Sequence, residues 1–188
     1  MMFFDIFKKK KKEFDELVVF DTETTGLDPK VDDILSIGAV KVKNNKIITS
    51  KIFEVFIKNT KEIDSKSIEV HGIRPVDLEN AMSIDEAIGE FLEFIGDLPL
   101  VGYYLEFDVA MINKYVKPRY GSKLKNKQIE VSEIYFDKTV GIIPQGNIDL
   151  RFDTILKKCD VPDMGAHNAV NDAIMTAMIY LKLNPLNK

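Results

Sequence analysis

The N-terminal part of the chain alternates between compact apolar runs and short polar stretches, a pattern typical of β-strands. Residues 17–20 form an apolar run that ends in the polar residues 21–26, which predicts a buried strand leading into a loop. The stretches 33–43 and 46–58 alternate or are rich in β-branched residues, and the two asparagines at 44–45 predict a hairpin turn between them. The chain is therefore expected to open with three strands.

Helical spacing dominates the remainder of the sequence. Ser83 and Glu86 form a capping-box pattern at the start of an apolar stripe, which predicts the beginning of a helix. A short helical pattern at 63–80 precedes it, and five elements are predicted to follow: a strand at 98–103, a helix at 108–115, a strand-like run at 129–136, a helix at 149–158 and a final helix with its apolar stripe at 169–181. Strands followed by alternating helices and strands predict an α/β domain with a mixed sheet.

Composition and charge narrow the class of protein. The 188 residues are 45% hydrophobic and 30% charged, which fits one soluble globular domain. The net charge of −4 argues against a wide basic face that coats duplex DNA, although it is compatible with an acidic site that has a local basic rim. No apolar run is long enough to span a bilayer, and the only cysteine, Cys159, favours a reducing compartment such as the cytoplasm.

Residues 1–16 differ from the rest of the chain. An apolar cluster at 1–7 is followed by five lysines at 8–12, which is the reverse of the order in a signal peptide. As a helix, this segment would be basic and amphipathic and could contact lipid, nucleic acid or another protein. The alternative is a solvated lysine run on a helix that packs onto its own domain, which is expected to span 17–188.

Four carboxylates in three separated segments are the main candidates for chemistry: Asp21 and Glu23 after the first strand, Asp108 in YLEFDVAMI, and Asp172 in HNAVNDAIM. Each lies in or beside an apolar run, where an unpaired negative charge is costly to desolvate. A strand would project Asp21 and Glu23 from the same face, where they repel each other unless a cation bridges them. A pair of Mg²⁺ or Mn²⁺ ions is the simplest shared partner, and such pairs commonly cleave phosphodiesters. Taken singly, Asp108 and Asp172 fit ordinary helix-surface positions, and a lone acidic pair on a strand is common.

His167 adds a proton acceptor to this set. It precedes Asp172 by five residues, about 140° apart on a regular helix, so both reach one site only if His167 lies at or before the first turn. A neutral histidine there could take a proton from a metal-bound water. The alternative is an exposed polar residue at the start of a helix.

Together, these segments resemble the DEDDh family of 3′-to-5′ exonucleases. DTETTGL at 21–27, FD at 107–108 and the H-x-A-x-x-D pattern at 167–172 occur in the family's order, and HGI at 71–73 is similar to a segment between the first two acidic motifs. The resemblance covers about residues 16–182. It implies an RNase H-like fold, in which helices flank a five-stranded mixed β-sheet, and it makes the main domain an exonuclease domain.

The resemblance also implies a role for each candidate residue. Asp21, Glu23 and Asp172 would hold the catalytic metal, with Asp21 bridging to a second ion and Asp108 assisting, while His167 would be the general base. Two Mg²⁺ or Mn²⁺ ions would generate the attacking hydroxide and stabilise the leaving 3′-oxygen, and the product would be a nucleoside 5′-monophosphate. Contacts to the terminal nucleotide are expected from Thr24, Thr25, Gly26, Leu27 and His71.

One departure from the family pattern lies five and four positions before Asp108. Family members commonly carry His-Asn or a similar polar pair there, whereas this chain has Tyr103 and Tyr104. The tyrosines could stack on bases or donate a hydrogen bond to phosphate, which would change substrate binding while metal binding persists. The alternative is that one ring packs into the core and the other covers it.

Between residues 114 and 127 the chain carries six basic side chains and no acidic one. They could guide a phosphate backbone towards the metals, or they could belong to a solvated, flexible loop. The six residues are Lys114, Lys117, Arg119, Lys123, Lys125 and Lys127.

The sequence therefore predicts a metal-dependent 3′-to-5′ exonuclease that acts on single-stranded nucleic acid with a free 3′ end, with DNA favoured over RNA. The alternatives are an RNA trimmer similar to RNase T or oligoribonuclease, and a non-catalytic nucleic-acid-binding module. A polymerase could be a partner, but residues 182–188 are too short for a C-terminal tether. A free-standing enzyme, or one recruited through residues 1–16, is the simpler expectation.

Overall fold

The computed structural model of the chain describes residues 14–59, 61, 63–140, 142, 145–165 and 167–184. Most of the predicted basic amphipathic segment, residues 1–13, lies outside the described residues. Its conformation therefore stays a prediction.

A five-stranded mixed sheet forms the centre of the domain and confirms the predicted fold class. Its strands are β1 (Glu16–Thr24), β2 (Ile34–Lys43), β3 (Lys46–Phe56), β4 (Leu100–Gly102) and β5 (Gln128–Glu130). The strand order is β3-β2-β1-β4-β5, and β1 pairs antiparallel with β2 and parallel with β4. β1 therefore occupies the middle of the sheet, where elements can cover both of its faces.

Within the described residues, six α-helices flank the sheet: α1 (Ser65–His71), α2 (Ile84–Ile95), α3 (Leu105–Tyr120), α4 (Val131–Thr139), α5 (Phe152–Lys158) and α6 (Ala169–Leu183). Short 3₁₀ turns lie at Pro75–Leu78 and Gln145–Asn147. The predicted capping box opens α2, because Ser83 Oγ accepts a hydrogen bond from Glu86 N and the Glu86 carboxylate accepts one from Ser83 N.

The alternation of side chains along β1 divides the core into two layers. Val18 and Phe20 pack with residues of α2 and α3, whereas Leu17 and Val19 pack with residues of α4, α5 and α6. Because side chains of a strand alternate between its two faces, the residues at the end of β1 are also sorted between these layers. The odd-numbered residues face α6 and the even-numbered residues face α3.

The strand expected at 129–136 is wrong for most of its length. β5 ends at Glu130, and α4 begins at Val131. Glu130 starts this helix because its carboxylate accepts hydrogen bonds from the backbone N–H and the hydroxyl of Ser132, at 3.0 and 2.8 Å. Val131 and Tyr135, four residues apart, then bury one helical face in the core. This tertiary packing outweighs the β-propensity of the run.

The other predicted elements are present with shifted ends. The largest difference is α3, which runs from Leu105 to Tyr120 instead of covering 108–115. The predicted hairpin turn is confirmed at Asn44 and Asn45, whose φ angles of 50° and 58° suit a tight turn between antiparallel strands. In the part of the chain that the structure describes, no helix combines the length and apolarity needed to span a bilayer.

Candidate active site

Asp21 and Glu23 project from the face of β1 that packs against α6. Asp172 lies in the first turn of α6 and reaches them from that helix. One carboxylate oxygen from each of these residues lies within 4.8 Å of the other two. Acidic side chains from two segments that are far apart in the sequence therefore meet at the end of β1.

Gly38 explains how α6 comes so close to the sheet. It lies opposite Asp21 in the pairing of β2 with β1. A Cβ atom at this position would lie 2.2 Å from the backbone carbonyl carbon of Ala169 and from the backbone nitrogen of Val170. The first turn of α6 therefore rests directly on the backbone of β2. This contact carries Asp172 to the acidic end of β1.

Asp108 approaches from the opposite face of β1. Its Oδ1 atom accepts two hydrogen bonds from Thr22, one from the backbone nitrogen at 3.0 Å and one from Oγ1 at 2.6 Å. Thr22 stands between Asp21 and Glu23, so α3 is joined to the same few residues of β1. Asp108 is separate from the group of three converging oxygens, yet its charge acts on Asp21.

Burial raises the pKa of all four carboxyl groups. For Asp21, the raised pKa is also due to the negative charges of Asp108, Glu23 and Asp172. Burial and then the charge of Asp172 raise the pKa of Glu23 to about 7. The pKa of Asp108 also rises to about 7, although its hydrogen bonds from Thr22 oppose the rise. The site thus brings together carboxyl groups that resist ionisation in the absence of a cation.

A divalent cation fits this set of groups. Asp172 Oδ1 is buried and has no hydrogen-bond partner among the described residues. None of the four carboxylates forms an ion pair with a side chain in the same described part of the chain. Carboxylate oxygens are the ligands that Mg²⁺ and Mn²⁺ prefer, so Asp21, Glu23 and Asp172 are the residues that would hold such an ion.

His167 lies before the first turn of α6, as its spacing from Asp172 requires. The helix begins at Ala169 with Asn168 as its N-cap, and His167 has a φ angle of 67°. Its backbone nitrogen donates a hydrogen bond of 2.9 Å to Asp172 Oδ2. The main chain of His167 therefore orients Asp172, while its exposed imidazole is left available for chemistry.

A cavity of about 420 Å³ adjoins the acidic group, a size within the range of small-ligand sites. It is lined by Glu23, Ser36, Phe56, His71, Gly72, Ile73, Asp77, His167 and Asn168. The imidazole of His71 accepts a hydrogen bond from Ile73 N at Nδ1, while its Nε2 is buried without a partner among the described residues. Burial and the nearby His167 lower the pKa of His71, which favours its neutral form.

The loop after β1 is held by its own hydrogen bonds. Thr24 Oγ1 donates to Gly26 O at 2.7 Å, and Thr25 N donates to Asp33 O at 3.0 Å. The backbone N–H of Thr25 is thus already used within the protein, which leaves fewer groups of this loop for a nucleotide than the resemblance implies. Leu27 is different, because its side chain is 84% exposed at the tip of the loop.

Comparison with known proteins agrees with this geometry. A family model of the RNase T exonucleases matches residues 18–180. The chain belongs to this exonuclease family. The match spans the acidic segments and His167.

The chain is also similar to individual members of the family. It is 33% identical over 174 residues to a PolC-type DNA polymerase III of Thermotoga maritima. The aligned region covers 91% of this chain but only 12% of that protein. It is 31% identical over 166 residues to the DNA polymerase III epsilon subunit of Aquifex aeolicus, covering 88% of this chain and 79% of the relative. The structure of E. coli exonuclease I in complex with a dT13 oligonucleotide shares the fold, with a TM-score of 0.72 at 14% identity and coverage of 89% and 40%.

The two adjacent tyrosines of this chain have different environments. The hydroxyl of Tyr103 donates a hydrogen bond to Leu150 O at 3.1 Å, and its ring packs against Phe152 at 4.9 Å between ring centroids. The side chain of Tyr104 is 71% exposed. Tyr103 thus matches the expectation that one ring packs, whereas Tyr104 stays accessible.

The basic stretch at 114–127 is partly committed to structural contacts. Lys114 forms an ion pair with Asp33, Arg119 forms one with Asp85, and Lys127 lies over the ring of Phe14. Residues 114–120 also belong to α3 instead of a flexible loop. Lys117, Lys123 and Lys125 are exposed and form no ion pair among the described residues, so they are the members of this stretch left available for other contacts.

Two further residues shape the candidate site, although no sequence motif pointed to them. The sequence motifs gave Thr22 no role, but its backbone and hydroxyl hold Asp108. Gly38 carries the contact with α6. A glycine inside a β-branched strand is a known indication of close backbone approach, so the sequence held a signal for Gly38, whereas nothing in it identified the partner of Thr22.

Proposed function

We propose that this chain is a metal-dependent exonuclease that removes nucleotides from single-stranded 3′ ends, with DNA favoured, and releases nucleoside 5′-monophosphates. The observation that carries the proposal is the convergence of Asp21, Glu23 and Asp172 within 4.8 Å, with His167 directly before the helix that carries Asp172. The same residues form the motifs that resemble 3′-to-5′ exonucleases.

The relatives support DNA as the substrate. Two of them are a PolC-type DNA polymerase III and a DNA polymerase III epsilon subunit, and E. coli exonuclease I is known in complex with a dT13 oligonucleotide. The net charge of −4 also fits an enzyme that engages one strand end better than one that coats a duplex.

The proposed reaction divides its tasks between carboxylates and an imidazole. Bound Mg²⁺ or Mn²⁺, two ions by the family resemblance, would stabilise negative charge on the phosphate and on the attacking and leaving oxygens. Asp21, Glu23 and Asp172 would hold the ions, and Asp108 would assist from the other face of β1. His167 Nδ1 or Nε2 would accept the proton of the attacking water, which its exposure at the cavity permits.

The proposed position of the terminal nucleotide is the cavity beside Glu23. His71 lines this cavity with a buried, unpartnered Nε2, which suits a hydrogen bond to a sugar or phosphate group. The exposed Leu27 would contact the terminal base, and backbone groups of residues 24–26 that are not already hydrogen-bonded would contact the terminal nucleotide. The cavity of about 420 Å³ has room for a ligand of this class.

A labelled single-stranded DNA tests the proposal. With Mg²⁺ or Mn²⁺, a 5′-labelled oligonucleotide should shorten progressively and yield a ladder, and a chelator should stop the reaction. Asp21→Asn, which removes a charge at nearly constant volume, should leave the oligonucleotide intact. Release of the 5′ label as a mononucleotide would contradict the proposed direction.

The same assay decides between the alternatives. An RNA oligonucleotide of matching sequence should be degraded more slowly than the DNA, and faster degradation would make the chain an RNA trimmer. Measurable binding of both oligonucleotides without shortening of either would make it a non-catalytic module.

A polymerase is a proposed partner of the domain. The segment matched in the Thermotoga relative makes up 12% of a polymerase chain, so an exonuclease of this family can work beside polymerase domains. Residues 1–16 are the proposed point of recruitment. Co-purification of the replicative polymerase with the full chain, and its loss when residues 1–16 are deleted, is the expected result. Unchanged co-purification would remove this segment from the proposal.

A further inference from the structure

Tyr104 adopts a backbone conformation that is unfavourable for a tyrosine. It is the N-cap of α3, with a φ angle of 57° in the left-handed region. Large side chains are rare in this region, where asparagine and glycine are favoured. The tyrosine side chain forms no capping hydrogen bond and is 71% exposed. Within the described residues, its hydroxyl forms no hydrogen bond and its ring pairs only with that of Phe107, so no internal polar contact requires a tyrosine at this strained position.

The ring of Tyr104 pairs with a second aromatic ring in the first turn of α3. Its ring lies 6.4 Å from that of Phe107 between centroids, and the two planes differ by 19°. Asp108 follows one helical turn after Tyr104 and is hydrogen-bonded to Thr22, between Asp21 and Glu23. The aromatic pair therefore begins about one turn of α3 before Asp108, the carboxylate proposed to assist the metal site.

We propose that Tyr104, backed by Phe107, is a stacking platform for a nucleobase of the strand whose 3′ end occupies the site. Every base offers an aromatic face, so such a platform binds single strands with little dependence on sequence. A base paired in a duplex has both faces covered by its neighbours. Stacking on Tyr104 would therefore select unpaired ends.

The topology of the sheet indicates which base reaches the platform. The loop after β1 and the cavity beside Glu23 lie on the side of β2, whereas Tyr104 follows β4 on the other side of β1. If the terminal nucleotide occupies the cavity, the base that stacks on Tyr104 belongs to a nucleotide further from the 3′ end. This inference rests on the proposed function, because it takes the 3′ end to lie at the carboxylates.

The platform is tested by measuring the binding of single-stranded DNA with Ca²⁺ in place of Mg²⁺. Ca²⁺ also binds carboxylates but prefers a different coordination geometry, so the DNA is expected to bind without being cleaved. The probes are a 5′-labelled oligothymidylate and versions with one abasic nucleotide at each internal position in turn. The wild-type chain should lose roughly 5- to 150-fold in affinity when the stacked base is missing, the range expected for one base on one aromatic ring.

Tyr104→Asn separates stacking from folding. Asparagine tolerates the left-handed conformation, so the melting temperature of the variant should stay the same or rise. Its affinity for the intact oligothymidylate should fall by roughly the same 5- to 150-fold, and an abasic nucleotide should then cause no further loss of affinity. Tyr120→Asn is the matched control, since Tyr120 is a 49% exposed tyrosine at the far end of α3 and should bind as the wild type does.

Three results would overturn the platform: wild-type affinity in Tyr104→Asn, an abasic penalty only at the terminal nucleotide, or a clear drop in the melting temperature of Tyr104→Asn. Failure of the proposed function gives a different outcome. In that case the oligonucleotide stays intact with Mg²⁺ or Mn²⁺, while the internal abasic penalty with Ca²⁺ and its loss in Tyr104→Asn still support the platform.

Discussion

Glu23 is a buried carboxylate without a cationic partner in the described part of the chain. Its side chain is 8% exposed, and burial together with the charge of Asp172 raises its pKa to about 7 from an ordinary value of 4.5. The folded state therefore binds this proton more tightly than the unfolded state does. In the metal-free protein, the favourable contribution of the protonated group is lost as the pH rises from about 4.5 to about 7.

Glu23→Gln should accordingly stabilise the metal-free protein. Above the pKa of about 7, the free energy of unfolding should rise by on the order of 1–3 kcal/mol, and the difference should vanish below pH 4.5. Denaturant titration at several pH values with a chelator measures it. Glu54→Gln, an exposed site on β3, is the control and should change the free energy by less than about 0.5 kcal/mol.

A stabilising effect of Glu23→Gln would come with loss of metal binding, which is the pattern expected of a functional carboxylate. Destabilisation by Glu23→Gln at neutral pH would contradict the electrostatic account. It would mean that a partner within the protein compensates the charge of Glu23.

His167 combines two roles that a substitution can separate. Its main chain orients Asp172, whereas its imidazole is the proposed base. His167→Asn should retain the φ angle of 67°, which asparagine tolerates, and so retain the hydrogen bond to Asp172. The turnover number should fall by roughly 10²- to 10⁴-fold while Mn²⁺ affinity stays at the wild-type level. Wild-type turnover would assign the base elsewhere, and lost Mn²⁺ affinity would show that the backbone contact had not survived.

At the scale of elements, the contact between α6 and β2 sets the geometry of the site. Gly38→Ala places a Cβ atom 2.2 Å from backbone atoms of Ala169 and Val170, which cannot move as a flexible side chain would. The first turn of α6 should shift away from the sheet and take Asp172 with it. We expect destabilisation by about 1–3 kcal/mol and loss of both Mn²⁺ affinity and hydrolysis.

Gly89→Ala is the matched control for this prediction. Gly89 lies inside α2, and an added Cβ there meets no atom within 4 Å. Because alanine favours helices, the control should raise the free energy of unfolding by about 0.5–1 kcal/mol and leave Mn²⁺ binding intact. Wild-type Mn²⁺ affinity in Gly38→Ala would show that this contact does not position Asp172.

The elements show where sequence patterns succeed and where they fail. The capping box at Ser83 and the turn at Asn44 and Asn45 depend on residues close in sequence, and both are confirmed. The run 129–136 contains residues that suit a strand, but its conformation depends on what covers Val131 and Tyr135. That information belongs to the folded core, so the local pattern could not supply it.

At the scale of the whole molecule, the order of the motifs predicted more of the site than any single residue did. The family resemblance links the acidic segments with His167. The order of strands and helices predicted an α/β domain with a mixed sheet, and the resemblance added the five-stranded RNase H-like fold. The role of Thr22 and the separation of Tyr103 from Tyr104 depend on contacts across 86 and 47 positions of sequence. Such distant contacts leave no local pattern, which is why the structure was needed to find them.

The central claim is that distant segments of the molecule build one metal site at the end of β1. Crystals grown with Mn²⁺ and measured for anomalous scattering test this claim most directly. We predict anomalous density bounded by carboxylate oxygens of Asp21, Glu23 and Asp172, and its absence in crystals of Asp21→Asn. Density that forms elsewhere, or none at saturating Mn²⁺, would contradict the account.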